Sequence, residues 1–197
     1  LDKNIYNHIK KFKSFLPNCR IEMVSNGDPL NTERLKKLFV NGLDKILISA
    51  YDGAEDVKKF KEMVSKCELN ADQYIIRDRS LPEEEDFGIT LSNRSGMMEN
   101  AEYKIAKLKN PLNNPCYIPS YTLFFDYLGD VLICPHDWGK KIILGNLKEE
   151  NLLDIWFKEK SMKIRKKLSN SDRKFLPCNV CDVDGTLMGE ANSKYYT

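Results

Sequence analysis

Lys45-Ile46-Leu47-Ile48-Ser49-Ala50 is the stretch from which the fold is read. Ile46, Leu47 and Ile48 follow one another with no polar interruption. A strand with one wet face alternates apolar and polar positions. A strand of a parallel sheet is covered on both faces and reads as a continuous apolar run. Residues 45–50 are therefore expected to form a strand buried on both sides.

The pattern extends outward in both directions. Upstream, Arg20-Ile21-Glu22-Met23-Val24 alternates like a strand, and Ser25-Asn26-Gly27-Asp28-Pro29 reads as a turn. Leu35, Leu38 and Phe39 mark one face of a helix with Asn31 or Thr32 as its cap and Gly42 as its stop. Ile5, Ile9 and Phe12 recur at helical spacing ahead of Pro17. Downstream, Val57, Phe60, Met63 and Val64 predict an amphipathic helix, and residues 73–77 a third strand. Helix and strand alternate with short connections, the signature of βαβ units. Three strands leave sheet edges open, so further strands are expected ahead of Leu1. Leu1-Asp2-Lys3 is neither a signal peptide nor a natural start, and the chain reads as part of a longer protein.

Composition narrows the function classes. Of 197 residues, 31 are basic and 29 acidic, so the net charge of +2 points to no nucleic-acid partner. No apolar run approaches the roughly 20 residues that span a bilayer, and a cytoplasmic location without membrane contact is expected. Six cysteines are present. With no secretion signal, clustered cysteines read as metal ligands rather than disulfides. Cys19 and Cys67 stand apart and read as ordinary core or surface residues.

The character changes after the third strand. Residues 78–115 carry an acidic run, Glu83, Glu84, Glu85 and Asp86, expected to be solvated. They continue through Asn93-Arg94-Ser95-Gly96 into a polar stretch with Pro111 and Pro115. Residues 91–115 read as a linker. Beyond it, residues 122–127 and 130–134 form two strand-like runs around Leu128-Gly129, a hairpin that ends at Cys134. Leu152, Ile155 and Trp156 mark a short helix, and Arg165 and Leu168 another.

Cys116, Cys134, Cys178 and Cys181 make one constellation. Cys178-Asn179-Val180-Cys181 allows both thiolates to face one metal, with backbone N–H groups turned toward sulfur. The hairpin brings Cys116 and Cys134 together. Structural zinc usually sits between two paired Cys-x-x-Cys knuckles; here one pair and two isolated cysteines are present. A cubane accepts ligands from more widely spread directions. Iron–sulfur is favoured on this ground, with zinc as the competing occupant. His136 lies close enough to replace a ligand, but with four cysteines it reads as a hydrogen-bonding neighbour.

These residues resemble a known family. Cys116, Phe125-Asp126-x-x-Gly129-Asp130-Val131-x-x-Cys134, Gly145-Asn146-Leu147, Leu153-x-Ile155-Trp156, Arg165 and Pro177-Cys178-x-x-Cys181 look like the SPASM/twitch auxiliary-cluster domain of radical SAM enzymes. The cysteine spacing is closest to the twitch form with one auxiliary cluster. Ser25-Asn26-Gly27 and Ile48-Ser49-Ala50-Tyr51-Asp52-Gly53 resemble two strand ends of the radical SAM barrel.

The resemblance implies an α/β chain in three parts: residues 1–90 as the later part of a (β/α) radical SAM barrel, 91–115 as linker, and 116–197 as a small α+β twitch/SPASM domain. It implies an auxiliary [4Fe–4S] cluster on Cys116, Cys134, Cys178 and Cys181. S-adenosylmethionine and a second [4Fe–4S] cluster would belong to the full-length parent. The family's Cys-x-x-x-Cys-x-x-Cys motif and Gly-Gly-Glu segment are not among these residues, so this chain alone is expected not to cleave S-adenosylmethionine.

At strand ends, where parallel barrels gather their chemistry, Ser49 resembles a ribose contact and Arg77 a contact to the S-adenosylmethionine carboxylate. A turn-capping serine and a structural ion pair are the competing readings. Arg94 is a candidate substrate contact, against a solvated linker arginine. The implied parent acts on a small polar molecule, by alcohol oxidation, or on a peptide, with flavodoxin or ferredoxin as reductant. The reading from a different class is a non-catalytic four-cysteine scaffold holding zinc or iron–sulfur.

Overall fold

The computed structural model describes residues 2–82, 85 and 91–196. Apart from Glu85, the acidic run at 83–86 lies outside the described residues. The chain divides into two compact units, Leu1–Thr90 and Leu91–Thr197.

The first unit is built on three parallel strands. Helix α1 (Ile5–Phe15) leads into β1 (Glu22–Ser25), α2 (Thr32–Val40), β2 (Lys45–Ala50), α3 (Ala54–Ser65) and β3 (Tyr74–Asp78), with sheet order β1-β2-β3. Val24 pairs with Leu47, and Ile48 with Ile76. The apolar run of β2 is buried along its length from Ile46 to Ala50, as a central parallel strand requires. Ile9 of α1, Leu35 and Leu38 of α2, and Phe60 and Val64 of α3 pack with Ile46 and Ile48 in one core.

Local chemistry sets the ends of these elements. Asn31 caps α2, its side-chain oxygen accepting the Arg34 N–H at 2.8 Å. Asp44 accepts the Ile21 N–H at 2.7 Å and pairs with Lys13 at 2.6 Å, which fixes the entry to β1. Gly27 has φ +83°, and a Cβ there would lie 2.4 Å from the Phe60 ring. The turn after β1 thus admits glycine only, because the core comes up against its backbone.

The second unit carries α4 (Ile118–Tyr121), β4 (Phe124–Phe125), β5 (Asp130–Leu132), β6 (Ile143–Asn146), α5 (Leu152–Phe157), α6 (Glu159–Ser169), a 3₁₀ turn (Cys178–Val180) and α7 (Glu190–Tyr196). The hairpin expected at 122–134 is present as β4 and β5, but shorter, and β6 adds a third antiparallel strand. Cys134 lies beyond β5 rather than at its end. The ladder is irregular between Val131 and Leu132. The chain then bends around the buried Asp137, whose carboxylate accepts the N–H groups of Lys141 and Ile142, both at 2.9 Å.

Residues 91–115, expected as a linker, lie within this second unit. Asn93 is wholly buried, and Ser95 and Ile105 are nearly so. Arg165, almost fully buried, donates to the carbonyls of Tyr196 (2.6 Å) and Trp156 (2.8 Å) and stacks on the Trp156 ring, tying α5, α6 and α7 together. Among the described residues no helix is long and apolar enough to cross a membrane.

Candidate cluster-binding site

Three backbone segments of the second unit bring four cysteines to one enclosed cavity. Cys116 enters ahead of α4, where its N–H donates to the Leu168 carbonyl at 2.9 Å. Cys134 comes from the bend after β5. Cys178 and Cys181 flank the 3₁₀ turn, with the Cys181 N–H reaching back to the Cys178 carbonyl. All four line the same cavity, walled by apolar side chains such as Ile118, Ile133, Leu168 and Val183. Cys19 is exposed, and Cys67 is buried in the first unit.

The donor set is that of a soft, polynuclear metal group. Among the described residues no three His, Cys, Asp or Glu side chains are placed to hold one metal ion. The four thiols line one cavity. A tetrahedral zinc binds where its ligands converge on one point, whereas a cubane takes a thiolate at each corner. The cavity is about 20 Å³, room for roughly one water. Seating a cluster therefore requires the cysteine side chains to turn outward, so binding is coupled to local repacking.

Electrostatics agree with that reading. Burial pushes the Cys116 thiol up, and burial pushes Cys134 up to about 12; Cys178 is raised by burial and then by the other three thiols. Cys116, Cys134 and Cys178 ionise together only when a cationic group compensates them. N–H groups from Ile118 to Cys116, and from His136 and Asp137 to Cys134, favour the thiolates. The N–H donors expected at the Cys-x-x-Cys loop are thus found at the two isolated cysteines, where the chain bends after each sulfur.

Asn93, which sequence reasoning passed over, fastens the Cys178–Cys181 loop. Its side-chain N–H groups donate to the carbonyls of Val180 (2.6 Å) and Ala106 (3.0 Å), and its backbone N–H to Asp182 Oδ2 (2.8 Å). Its Oδ1 accepts the Gly96 N–H at 3.2 Å. It thereby holds Arg94, Ser95 and Gly96, three consecutive residues with positive φ. For the two non-glycine residues that backbone costs on the order of 1 kcal/mol or more each, a strain the Asn93 bonds offset. An asparagine ahead of Arg-Ser-Gly is the available sequence signal, but its partners at Val180 and Asp182 lie 87 and 89 residues away.

Arg94 is not a solvated linker residue. Its guanidinium lies over the Trp138 ring at 4.9 Å, and its Nε is buried without a hydrogen-bond partner. His136 stands nearby, 3.2 Å from Ser92 Oγ. Burial, and then the charge of Arg94, lower the His136 pKa. In the first unit, Ser49 and Arg77 are register partners at the C-terminal ends of β2 and β3. Ser49 is buried; the Arg77 Nε is buried without a partner, and its side chain makes no ion pair among the described residues. Burial lowers the Arg77 pKa, followed by the charge of Arg79.

Residues 116–182 match the SPASM iron–sulfur cluster-binding domain. The four cysteines all fall inside the SPASM segment, whereas Arg94 precedes it. The chain is also similar to the S-adenosyl-L-methionine-dependent 2-deoxy-scyllo-inosamine dehydrogenase of Niallia circulans, with 28% identity over 174 residues. That match covers 88% of this chain and 64% of the relative, so the chain spans just under two thirds of its length. Among solved structures it superposes on BtrN in complex with AdoMet and 2-DOIA with a TM-score of 0.73 and 28% identity, covering 92% of this chain and 67% of BtrN. An open conformation of BtrN matches with a TM-score of 0.64 at 24% identity, a likeness of fold, covering 92% of this chain and 65% of that one.

Proposed function

We propose that this chain is the auxiliary-cluster part of a radical SAM enzyme that oxidises an alcohol on a small polar substrate. One observation carries the reading: four cysteines from three segments face one enclosed cavity inside a SPASM segment. Cys116, Cys134, Cys178 and Cys181 hold a [4Fe–4S] cluster. When bound, such a group supplies an acceptor for a single electron.

The chain's own residues do the positioning. Arg94, with its guanidinium held over Trp138 and an unused donor, orients a hydroxyl or anionic group of substrate. In the first unit Ser49 and Arg77 contact S-adenosylmethionine, the serine at ribose and the arginine at carboxylate. The dehydrogenase resemblance favours a polyhydroxylated amino alcohol, the class to which 2-deoxy-scyllo-inosamine belongs. A reductant of the flavodoxin or ferredoxin kind and a cytoplasmic location suit cluster chemistry in a reducing compartment.

Ligand substitution tests the assignment. Ala in place of Cys116, Cys134, Cys178 or Cys181 should each lower the iron bound by anaerobically prepared protein, and Ala at Cys19 or Cys67 should leave it unchanged. Equal loss from Cys67→Ala and Cys178→Ala would overturn the ligand set.

A further inference from the structure

Arg173 is the largest fully buried side chain among the described residues, 2% exposed, and it lines the four-thiol cavity. A buried guanidinium normally meets a carboxylate, because an uncompensated charge in a dry interior costs several kcal/mol. Arg173 has no ion pair among the described residues. Its donors go to four backbone carbonyls: Nε to Asn114 at 3.0 Å, Nη1 to Val183 at 2.7 Å, and Nη2 to Pro115 at 2.8 Å and to Asp184. The Asp184 carboxylate is engaged elsewhere, with the Asn114 side chain and the Thr186 hydroxyl. Carbonyl dipoles satisfy the hydrogen bonds of a guanidinium and leave its charge in place. Lysine could not reproduce this fork, since an ammonium cannot span four carbonyls in one plane.

We propose that Arg173 is the internal counter-charge of the cluster, a positioning residue that raises the cluster's reduction potential. The inference rests on the ligand assignment made above. A cubane on four thiolates carries net negative charge, and one-electron reduction adds another. A fixed cation beside it stabilises the reduced state more than the oxidised state, so the potential rises. The same side chain clasps the segment before Cys116 to the segment after Cys181 through Pro115 and Val183. Charge and geometry are therefore delivered together.

Two variants separate them. Arg173→Gln and Arg173→Lys both break the four-carbonyl clasp, but only the first removes the charge. Each is prepared anaerobically as the full 197-residue chain, assayed for iron and sulfide, and titrated by EPR-monitored redox potentiometry. Arg173→Gln should favour the oxidised cluster over the reduced one by tenfold or more, about 59 mV downward for one electron. Arg173→Lys should remain closer to the parent. Cluster loss from Arg173→Gln with retention in Arg173→Lys would also support the counter-charge. Equal shifts in both variants, no shift in either, or equal cluster loss from both would reduce Arg173 to a structural clasp and overturn the inference. A parent chain that takes up no iron–sulfur cluster would instead overturn the ligand assignment, and this inference with it.

Discussion

Gly185 stands against the cluster site with no room for a methyl group. Its φ is +80°, and a Cβ built there would lie 2.4 Å from Cys116 Sγ, 3.0 Å from Cys116 Cβ and 3.2 Å from the Cys116 Cα. Its carbonyl also accepts the Tyr117 N–H at 2.9 Å, so the two segments are already fastened where the methyl would enter. Gly185→Ala must therefore push the Cys116 sulfur by roughly 1 Å to restore van der Waals contact. The left-handed backbone costs an alanine about 1–2 kcal/mol, and overpacking a filled site adds about 1–3 kcal/mol. The sum, about 2–5 kcal/mol, is a large share of a domain's stability.

Gly129→Ala is the control. It has φ +91°, so it incurs the same kind of backbone cost, but its nearest neighbour is the end of the Asn146 side chain at 3.0 Å. Both tryptophans, Trp138 and Trp156, lie in the second unit, so urea unfolding followed by tryptophan emission reports on that unit. Gly185→Ala should unfold at a clearly lower urea concentration than Gly129→Ala and bind less iron. Equal midpoints with full iron in both would refute the claim that Gly185 is the wall behind Cys116.

Further expectations concern the supports of the site. Asn93→Ala should destabilise the second unit by about 2–3 kcal/mol, because it strands buried carbonyls at Ala106 and Val180; an unchanged urea midpoint would contradict it. Lys140 pairs with Asp126 and with Asp130 (3.0 Å). Its hydrogen bond is the main cause of the lowered pKa of both carboxylates, and Asp126 followed by Asp130 raise the lysine. Depressed carboxylates stabilise the fold above their ordinary value near 4 and lose that contribution as pH falls through the lower folded values. The raised lysine contributes below its ordinary value and loses it as pH rises through the folded one. The stability difference between parent and Lys140→Met should therefore be flat at neutral pH and shrink toward both extremes; a difference independent of pH would refute the network's role.

Legibility in the sequence followed the range of the interactions. The parallel sheet was readable because β2 states its environment within six consecutive residues, and the caps at Asn31 and Gly42 lie beside the helix they end. The four cysteines were readable because thiol chemistry restricts what they can do together. Asn93 and Arg173 were not. Both act through backbone carbonyls that carry no residue-type signature and lie up to 87 positions away. The reading of 91–115 as a linker rested on polarity. Polar residues there are buried because their hydrogen bonds are satisfied inside the unit, as Asn93 illustrates. Cys134 was placed at a strand end because the apolar run Val131-Leu132-Ile133 continues past Leu132; the turn around the buried Asp137 is visible only in three dimensions.

The central claim is that four thiols hold one cubane. Iron, acid-labile sulfide and zinc should be measured together on chain purified and kept without oxygen. The account predicts about four irons and four sulfides per chain and no stoichiometric zinc. One zinc per chain with no sulfide would contradict it.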